Sequence, residues 1–170
     1  MKYNTIILDR DGVINHVRSQ YVRKSKQLNF ITGSIIAIKE LIKIGKKVVV
    51  ASNQAGVGKG LITKNDLNSI NSMINKTVGQ PIDYYYCLHT KEDECRCRKP
   101  KPGLIELIKN KEKGPFVFVG DNITDITAAH AAKVQAILVK TGYGMEHLNS
   151  VSDDVFIFDD LKSCMHELKK

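Results

Sequence analysis

Apolar and polar positions alternate along this chain in short blocks, a pattern that predicts strands and helices in turn. The predicted strands, which are short runs rich in apolar and β-branched residues, are 4–8, 47–51, 82–87, 116–120, 136–139 and 155–158. The predicted helices, in which apolar residues recur at helical spacing, are 34–44, 64–78, 102–110, 125–132 and 161–168. Strands that alternate with helices form a parallel sheet covered on both faces, so we expect a three-layer α/β/α, Rossmann-like fold.

Polar residues stand at the ends of three of these strands. Asp9 and Asp11 come after the first strand, Ser52 follows the second, and Asp121 follows 116–120. Ligands of open parallel sheets bind outside the carboxyl ends of the strands, so we expect these groups to meet there. Residues i and i+2 of an extended segment project to the same side, which would aim Asp9 and Asp11 at one substrate.

The three acidic side chains predict a cation at that edge of the sheet. Carboxylates that converge repel one another unless positive charge joins them, and oxygen ligands alone favour Mg²⁺. Gly12 lets the backbone turn after the first strand without a Cβ clash. Each pair in isolation, Asp-x-Asp or Gly-Asp, is also typical of ordinary turns. Their placement at two strand ends favours a functional site.

A second cluster combines cysteine with histidine. Cys87, His89, Cys95 and Cys97 form the pattern C-x-H-x₅-C-x-C. Three thiolates and one imidazole complete a tetrahedral set for Zn²⁺ with no open position, which is typical of a structural site. Clustered cysteines in a chain without a secretory signal favour a metal over disulfides. The intervening residues 90–94 are polar, so we expect the metal to order this segment.

Composition narrows the class of protein further. The 170 residues and an apolar share of 42% fit one ordinary globular domain over residues 1–170. Lys and Arg total 26 against 18 acidic residues, a net charge of +8 that suits anionic partners without specifying one. Neither a signal peptide nor a membrane-spanning apolar run is evident, so we expect a cytoplasmic protein with no membrane partner.

Four segments resemble, in order, the signatures of the haloacid-dehalogenase-like (HAD) phosphatases: 8–13 (LDRDGV), 52–54 (SNQ), 98–100 (RKP) and 120–125 (GDNITD). The resemblance implies a HAD-like fold and a magnesium-dependent phosphatase. It implies that Asp9 is the nucleophile that forms an aspartyl phosphate, and that Asp11 is the general acid and base. Because Asp11 must carry a proton when the leaving group departs, we expect its pKa to be raised.

The same resemblance implies the metal and phosphate ligands. Mg²⁺ would be held by Asp9, Asp121 and the backbone carbonyl of Asp11. Lys99 would add a second positive charge, and the Ser52 hydroxyl would donate to a phosphoryl oxygen. The other residues expected to contact the substrate are Arg10, Gly12, Arg18, Ser19, Gln20, Tyr21, Asn53, Gln54, Ala55, Arg98 and Asn122.

The zinc loop ahead of the third signature is similar to that of one branch of the family. This branch contains heptose 1,7-bisphosphate phosphatases and histidinol-phosphate phosphatases. Segments 9–15, 52–60 and 97–103 favour the heptose enzymes, although Gly-Lys-Gly at 58–60 departs from their usual Ala-Arg-Gly. The resemblance implies removal of a phosphate from a small sugar during the supply of activated heptose for lipopolysaccharide, with histidinol phosphate as the alternative substrate.

No segment between the signatures is long enough for a large inserted cap domain. We therefore expect a capless enzyme in which short loops, the zinc loop 87–97 above all, shape the pocket. Arg98 would face the second phosphate of the substrate, because a guanidinium fork suits such a group. The loop 18–21 is either part of the pocket wall or an ordinary exposed loop.

Nucleic-acid binding is the alternative from a different class. The charge of +8 and the cysteine-histidine cluster favour a zinc-containing nucleic-acid-binding module, and a 3′-end nucleic-acid phosphatase is an intermediate possibility. Neither alternative is preferred, because a binding module leaves Asp9, Asp11 and Asp121 unexplained and these groups would repel a phosphate backbone. The expected partner is a small phosphorylated sugar, with no nucleic acid, and the expected state is a monomer.

Overall fold

The computed structural model describes residues 2–170. One parallel sheet has the strand order β3-β2-β1-β4-β5-β6. The strands are β1 (Thr5–Leu8), β2 (Lys47–Asn53), β3 (Asp83–Cys87), β4 (Phe116–Gly120), β5 (Gln135–Val139) and β6 (Phe156–Phe158). The α-helices are α1 (Ser34–Lys43), α2 (Ala55–Gly58), α3 (Lys64–Val78), α4 (Gly103–Lys111), α5 (Ile123–Ala131) and α6 (Met165–Leu168), with 3₁₀ turns at Ser25–Gln27 and Gly144–Ser150.

Helices cover both faces of the sheet, which confirms the predicted three-layer α/β/α fold. Residues of β1 alternate between the layers: Ile6 and Leu8 pack with α1, α3 and α6, whereas Ile7 packs with α4 and α5. These strands read as continuous apolar runs because both of their faces are buried. Among residues 2–170, no helix combines the length and the apolar character that a membrane crossing requires.

The topology explains why the polar residues converge. Strands β1 and β4 are neighbours although a long stretch of chain separates them, and their registered partners run from Thr5↔Phe116 to Leu8↔Val119. The strand order reverses direction between them, and this switch point leaves a crevice at the carboxyl ends. Asp9 and Asp121 follow these two strands on opposite sides of the crevice.

Several predicted boundaries differ from the structure. The second strand continues to Asn53, so Ser52 belongs to the strand rather than to the loop after it. The helix predicted over 161–168 is helical only from Met165 to Leu168. Ahead of it, Asp160 and Ser163 bond to each other's backbone N–H groups and form a turn instead. Local side-chain bonds of this kind compete with helix formation.

Candidate active site

Lys99 lies at the centre of the site with its side chain fully buried. Its Nζ is 2.6 Å from Asp125 Oδ1 and 3.1 Å from Asp9 Oδ2, and it donates to the Ala51 carbonyl at 2.9 Å. Burial lowers the pKa of Lys99, but the charges of Asp125 and Asp9 outweigh it, so the net shift is upward. The ammonium is therefore held charged beside the Asp9 carboxylate.

Asp125 anchors this lysine. Burial, opposed by the charge of Lys99, raises the pKa of Asp125 to about 6. Its Oδ2 accepts from the backbone N–H groups of Asp121 and Asn122, at 3.2 and 3.1 Å, which also closes the N-terminal capping box of α5. The role of Asp125 is thus to hold Lys99 and the loop after β4.

Asp121 is the second acidic residue of the crevice and is only 2% exposed. Burial, followed by the charges of Asp9 and Asp125, raises the pKa of Asp121 to about 8. Each of these three residues offers a carboxylate oxygen, and the three oxygens lie within 4.8 Å of one another. Asp125 is enclosed and engages both oxygens, with Lys99 and with two backbone N–H groups, whereas Asp9 keeps 13% of its side chain exposed. The donors that fit a hard cation such as Mg²⁺ are therefore Asp9 and Asp121.

Gly12, a predicted substrate contact, serves the backbone here. Its φ is +87°, and a Cβ at this position would lie 2.1 Å from Asp121 Oδ2. Only glycine permits both the left-handed turn and this approach. The glycine lets the loop after β1 pass directly against the Asp121 carboxylate.

Asp11 is held by a network of donors that the sequence analysis did not foresee. Arg10 Nη2 donates to Asp11 Oδ2 at 2.8 Å, Asn15 donates to Oδ1 at 2.8 Å, and Gln54 donates to Oδ2 at 3.0 Å. Burial opposes ionisation, but the charge of Arg10 and these hydrogen bonds outweigh it, and the pKa of Asp11 is lowered. The expectation of a raised pKa for Asp11 is therefore wrong.

Arg10 and Gln54 were predicted to contact the substrate, and neither residue lines the two cavities of the site. The Arg10 side chain is fully buried and Gln54 is 1% exposed. The Gln54 side-chain amide donates hydrogen bonds to Asp11 and Ser52. Within residues 2–170, Arg10 Nη1 and Asn15 Oδ1 have no hydrogen-bond partner. The side chains of Arg10, Asn15 and Gln54 thus orient the Asp11 carboxylate from the protein interior and do not reach the crevice.

Ser52 and Asn53 occupy the end of β2. Ser52 lines a small cavity of about 140 Å³ together with Asp9, Asp11 and Lys99. Asn53 lines the same cavity, and its amide donates to the Lys99 carbonyl at 3.0 Å while its Oδ1 accepts from the Lys99 N–H at 3.1 Å. The Asn53 side chain thus ties the backbone of Lys99 to β2, and one of its two amide hydrogens remains available for another acceptor.

A larger cavity of about 700 Å³ opens beside the small one. Asn53, Lys99 and Asn122 line both cavities, and Arg98 lines the larger one. The residues that line this larger cavity include four basic ones and one acidic one, Glu94. The basic residues are Lys91, Arg98, Lys99 and Lys101. The combined space can hold one phosphate in the crevice and a further anionic group beneath the loop 87–97.

The loop 18–21 is not brought into either cavity. Arg18, Ser19 and Gln20 are exposed, and Tyr21 is half-buried with its hydroxyl 3.1 Å from Lys59 Nζ. The geometry therefore favours an ordinary exposed loop over a pocket wall. Ala55, which is 4% exposed at the start of α2, does not line either cavity.

The cysteine-histidine cluster lies at the edge of the larger cavity. Cys87 Sγ is 3.6 Å from Cys95 Sγ and 3.7 Å from His89 Nδ1. Cys97 Sγ is 3.5 Å from Cys95 Sγ and 3.3 Å from His89 Nδ1. Ligands of tetrahedral zinc with bonds of about 2.3 Å lie about 3.8 Å apart, so the donor set and its spacing fit Zn²⁺.

Two features link this cluster to the rest of the molecule. Burial, followed by the neighbouring Cys97 thiol, raises the pKa of Cys87 to about 12. This residue ends β3, so the sheet itself supplies one donor. A Cβ at Gly58 would lie 2.5 Å from the Leu88 carbonyl oxygen, so this glycine is required for close packing of α2 against the loop. This close approach explains the glycine at position 58 without invoking substrate.

The loop after β5 also contacts the site, and the sequence pattern did not predict this contact. Tyr143 lines the small cavity, and its backbone N–H donates to Asp121 Oδ2 at 2.9 Å. Thr141 Oγ1 donates to the Gly12 carbonyl at 2.6 Å. Gly-x-Gly at positions 142–144, just past a strand, was the one available signal, and it is too common in turns to identify a site.

A phosphate-sized cavity at the switch point of a parallel sheet, lined by four carboxylates, a buried lysine and a serine, is typical of a phosphoryl-transfer hydrolase of the HAD class. The HAD-hydrolase-like family model matches residues 96–164. D-glycero-beta-D-manno-heptose-1,7-bisphosphate 7-phosphatase of Pseudomonas putida is 38% identical over 96% of this chain and 98% of its own length. The alpha-anomer enzyme of Mycobacterium bovis is 37% identical over 74% of this chain and 70% of its own length.

A solved structure agrees with these relatives. The D,D-heptose 1,7-bisphosphate phosphatase of B. bronchiseptica, crystallised with magnesium and phosphate, superposes with a TM-score of 0.91. The two chains are 30% identical, and 98% of each is covered. The chain belongs to the HAD-like phosphatases, in the family of the D-glycero-D-manno-heptose-1,7-bisphosphate 7-phosphatases.

Proposed function

We propose that this chain hydrolyses the 7-phosphate of D-glycero-D-manno-heptose 1,7-bisphosphate, as its relatives' names describe. The observation that carries the proposal is the convergence of Asp9, Asp121 and the buried Lys99 on one crevice beside a second, cation-lined cavity. A bisphosphate needs two anion sites at a fixed separation, and the two cavities, which share lining residues, support this proposal. The product would serve the synthesis of nucleotide-activated heptose for lipopolysaccharide.

Asp9 is the proposed nucleophile. Its Oδ1 accepts from the Arg10 N–H at 2.7 Å and its Oδ2 is paired with Lys99, so both oxygens are fixed before substrate arrives. A carboxylate oxygen attacks phosphorus, the bond from phosphorus to the sugar oxygen breaks, and an aspartyl phosphate forms on Asp9. Water then attacks the same phosphorus, which releases inorganic phosphate and restores Asp9.

Asp11 is the proposed proton carrier for both steps. It protonates the departing sugar oxygen and later takes a proton from the attacking water. In the free protein Asp11 is ionised, because Arg10, Asn15 and Gln54 stabilise its charge. A phosphate dianion bound beside it favours proton uptake by like-charge repulsion, so the acid form arises when substrate binds. Lys99 and the Ser52 hydroxyl bind the phosphoryl oxygens in the crevice.

Two metal ions belong to this proposal. Asp9, Asp121 and the backbone carbonyl of Asp11 would hold Mg²⁺, which supplies positive charge that offsets repulsion between carboxylate and phosphate. Cys87, His89, Cys95 and Cys97 would hold a structural Zn²⁺, a role supported by their closed tetrahedral donor set. We further infer a single domain over residues 1–170 that acts in the cytoplasm as a monomer.

The test is phosphate release from both anomers of D-glycero-D-manno-heptose 1,7-bisphosphate and from histidinol phosphate, each with Mg²⁺ and with EDTA. Asp9→Asn protein, purified in parallel, provides the background. We expect Mg²⁺-dependent release from a heptose bisphosphate at a kcat/KM far above that for histidinol phosphate. Preference for histidinol phosphate would keep the chemistry and refute the substrate. Activity on none of them would refute the proposed function.

A further inference from the structure

The loop after β5 lies outside all four signature segments, yet it contacts two of them at the site. Thr141, Gly142 and Tyr143 approach Asp121 and Gly12, which follow β4 and β1. In the sheet these strands stand in the order β1-β4-β5, so the loop reaches the crevice from the far side of β4. The loop thereby brings the carboxyl ends of β1, β4 and β5 together around the Asp121 carboxylate.

The contacts leave the Asp121 carboxylate little freedom. The Tyr143 N–H donates to its Oδ2 at 2.9 Å. A Cβ at Gly142 would lie 1.9 Å from this same oxygen, and one at Gly12 would lie 2.1 Å from it. Oδ2 is therefore enclosed by two glycine backbones and one amide. Among residues 2–170 no hydrogen-bond donor is seen on Oδ1, so the loop selects which oxygen stays free.

Thr141 fixes the loop itself. Its hydroxyl donates to the Gly12 carbonyl at 2.6 Å, which ties the loop after β5 to the loop after β1. Gly142 has a φ of +60°, a conformation that side chains with a Cβ rarely adopt. Removal of a group that orients a metal ligand in this way commonly lowers metal affinity or activity by about 10–100-fold.

We propose that Thr141, Gly142 and the Tyr143 amide form a positioning element that orients the Asp121 carboxylate for the divalent cation. The inference rests on the proposed function, in which Asp121 binds Mg²⁺. The Thr141 hydroxyl holds the loop, Gly142 lets it approach, and the Tyr143 N–H engages Oδ2. None of the three residues is assigned a contact with the reacting phosphate.

The test measures Mn²⁺ binding to the zinc-loaded protein. Binding is monitored as the decrease of the electron paramagnetic resonance signal of free Mn²⁺. Mn²⁺ reports the site directly, without turnover. Thr141→Val replaces the hydroxyl by a methyl group in a side chain of similar shape, and we expect it to weaken Mn²⁺ binding about 10-fold. Thr141→Ser retains the hydroxyl and should stay within about twofold of wild type. Gly142→Ala should weaken binding at least as much as Thr141→Val.

Gly45→Ala is the matched control for Gly142→Ala. Gly45 also has a positive φ, +84°, but nothing lies within 4 Å of the position of its Cβ. Both variants carry the same kind of backbone strain, so a loss of Mn²⁺ affinity in Gly142→Ala alone reports the contact with Asp121. Wild-type affinity in both Thr141→Val and Gly142→Ala would overturn the inference, as would undiminished binding in Asp121→Asn. If the predicted affinities hold but no heptose bisphosphate is hydrolysed, the positioning element stands and the proposed function fails.

Discussion

The carboxylate crevice and the cysteine-histidine loop lie side by side, yet they are ordered by different means. In the crevice, Lys99, Asp121 and Asp125 are each at most 2% exposed and are fixed by strand ends, backbone donors and ion pairs. In the loop, residues 90–94 are mostly exposed. Their internal order comes from contacts such as the Thr90 N–H donating to Asp93 Oδ2 at 2.6 Å.

The difference indicates a separate role for each proposed metal. The sheet holds the carboxylates in place, so a cation there supplies charge for chemistry. The loop has too little apolar surface to order itself, so a metal there supplies free energy of folding. Arg98 and Lys99 directly follow the last cysteine. A metal bound by the four ligands would therefore hold in place the segment that carries two cations of the proposed phosphate site.

The largest expected effect is on turnover in the crevice alone. Asp9→Asn removes the nucleophile, and we expect kcat to fall by at least about 10⁴-fold. Zinc content and the free energy of unfolding should stay close to wild type, because the thiolate site is ordered independently. Asp153→Asn, at an exposed surface position, is the control and should retain full activity. An Asp9→Asn protein that still turns over would exclude covalent catalysis by this residue.

The next effect separates the loop from the crevice. Cys97→Ser removes one zinc donor, so we expect zinc content to fall and the free energy of unfolding to drop by several kcal/mol. The value of kcat/KM should fall about 10–100-fold, since Arg98 and Lys99 lose their support. Cys164→Ser, a buried thiol outside the cluster, should keep its zinc. Metal analysis with urea unfolding measures both, and full zinc content in Cys97→Ser would contradict the proposed ligand set.

A smaller effect is expected where the crevice is held together. Asp125→Ala leaves the Lys99 ammonium with one carboxylate in place of two and removes the Asp125 half of the capping box of α5, while the Asn122 cap remains. Breaking a buried pair commonly costs about 3–5 kcal/mol, and we expect a loss of this order in urea unfolding. Asp154→Ala breaks an exposed contact with His130 and should leave stability unchanged. Equal stabilities for the two variants would mean that Asp125 does not anchor the lysine.

The smallest effect is expected far from both sites. Glu167 is paired with Lys2 and Lys170, and these bonds lower the pKa of Glu167 to about 2. A carboxylate with a depressed pKa stabilises the folded state above its unfolded pKa, and this stability is lost as the pH falls from about 5 towards 2. Because both lysines are about half exposed, we expect on the order of 1 kcal/mol. Urea unfolding of wild type and Glu167→Gln at pH 7, 5 and 4 should show a shrinking difference; a constant one would contradict the pairing.

The fold could be predicted where local and long-range signals agree. The bounds of β4 match the prediction, and so do those of α3, where Thr63 caps the helix by accepting from the Asp66 N–H. Helix α2 was missed because glycines at 56 and 58 disfavour a helix locally, and contacts with the loop 87–97 override that preference. Propensity is a weak guide where tertiary packing decides.

The site was predictable only in part for the same reason. Strand-end positions identified Asp9, Asp11 and Asp121, because parallel strands bring their carboxyl ends together. The lowered pKa of Asp11 depends in part on hydrogen bonds from Asn15 and Gln54. Tertiary structure brings these donors to Asp11, and their spacing in the sequence does not predict the contact. The contact of the loop after β5 with Asp121 likewise needs the strand order, which the sequence does not state.

We propose that the carboxylate crevice performs the chemistry, while the thiolate loop sets the shape of the pocket beside it. The most direct measurement uses one sample of zinc-loaded, magnesium-free protein with heptose bisphosphate, in which phosphate release and bound zinc are followed as Mg²⁺ is added. We predict no release before the addition, prompt release after it, and constant bound zinc throughout. Release before any Mg²⁺ is present, at a rate that tracks zinc content, would contradict the account.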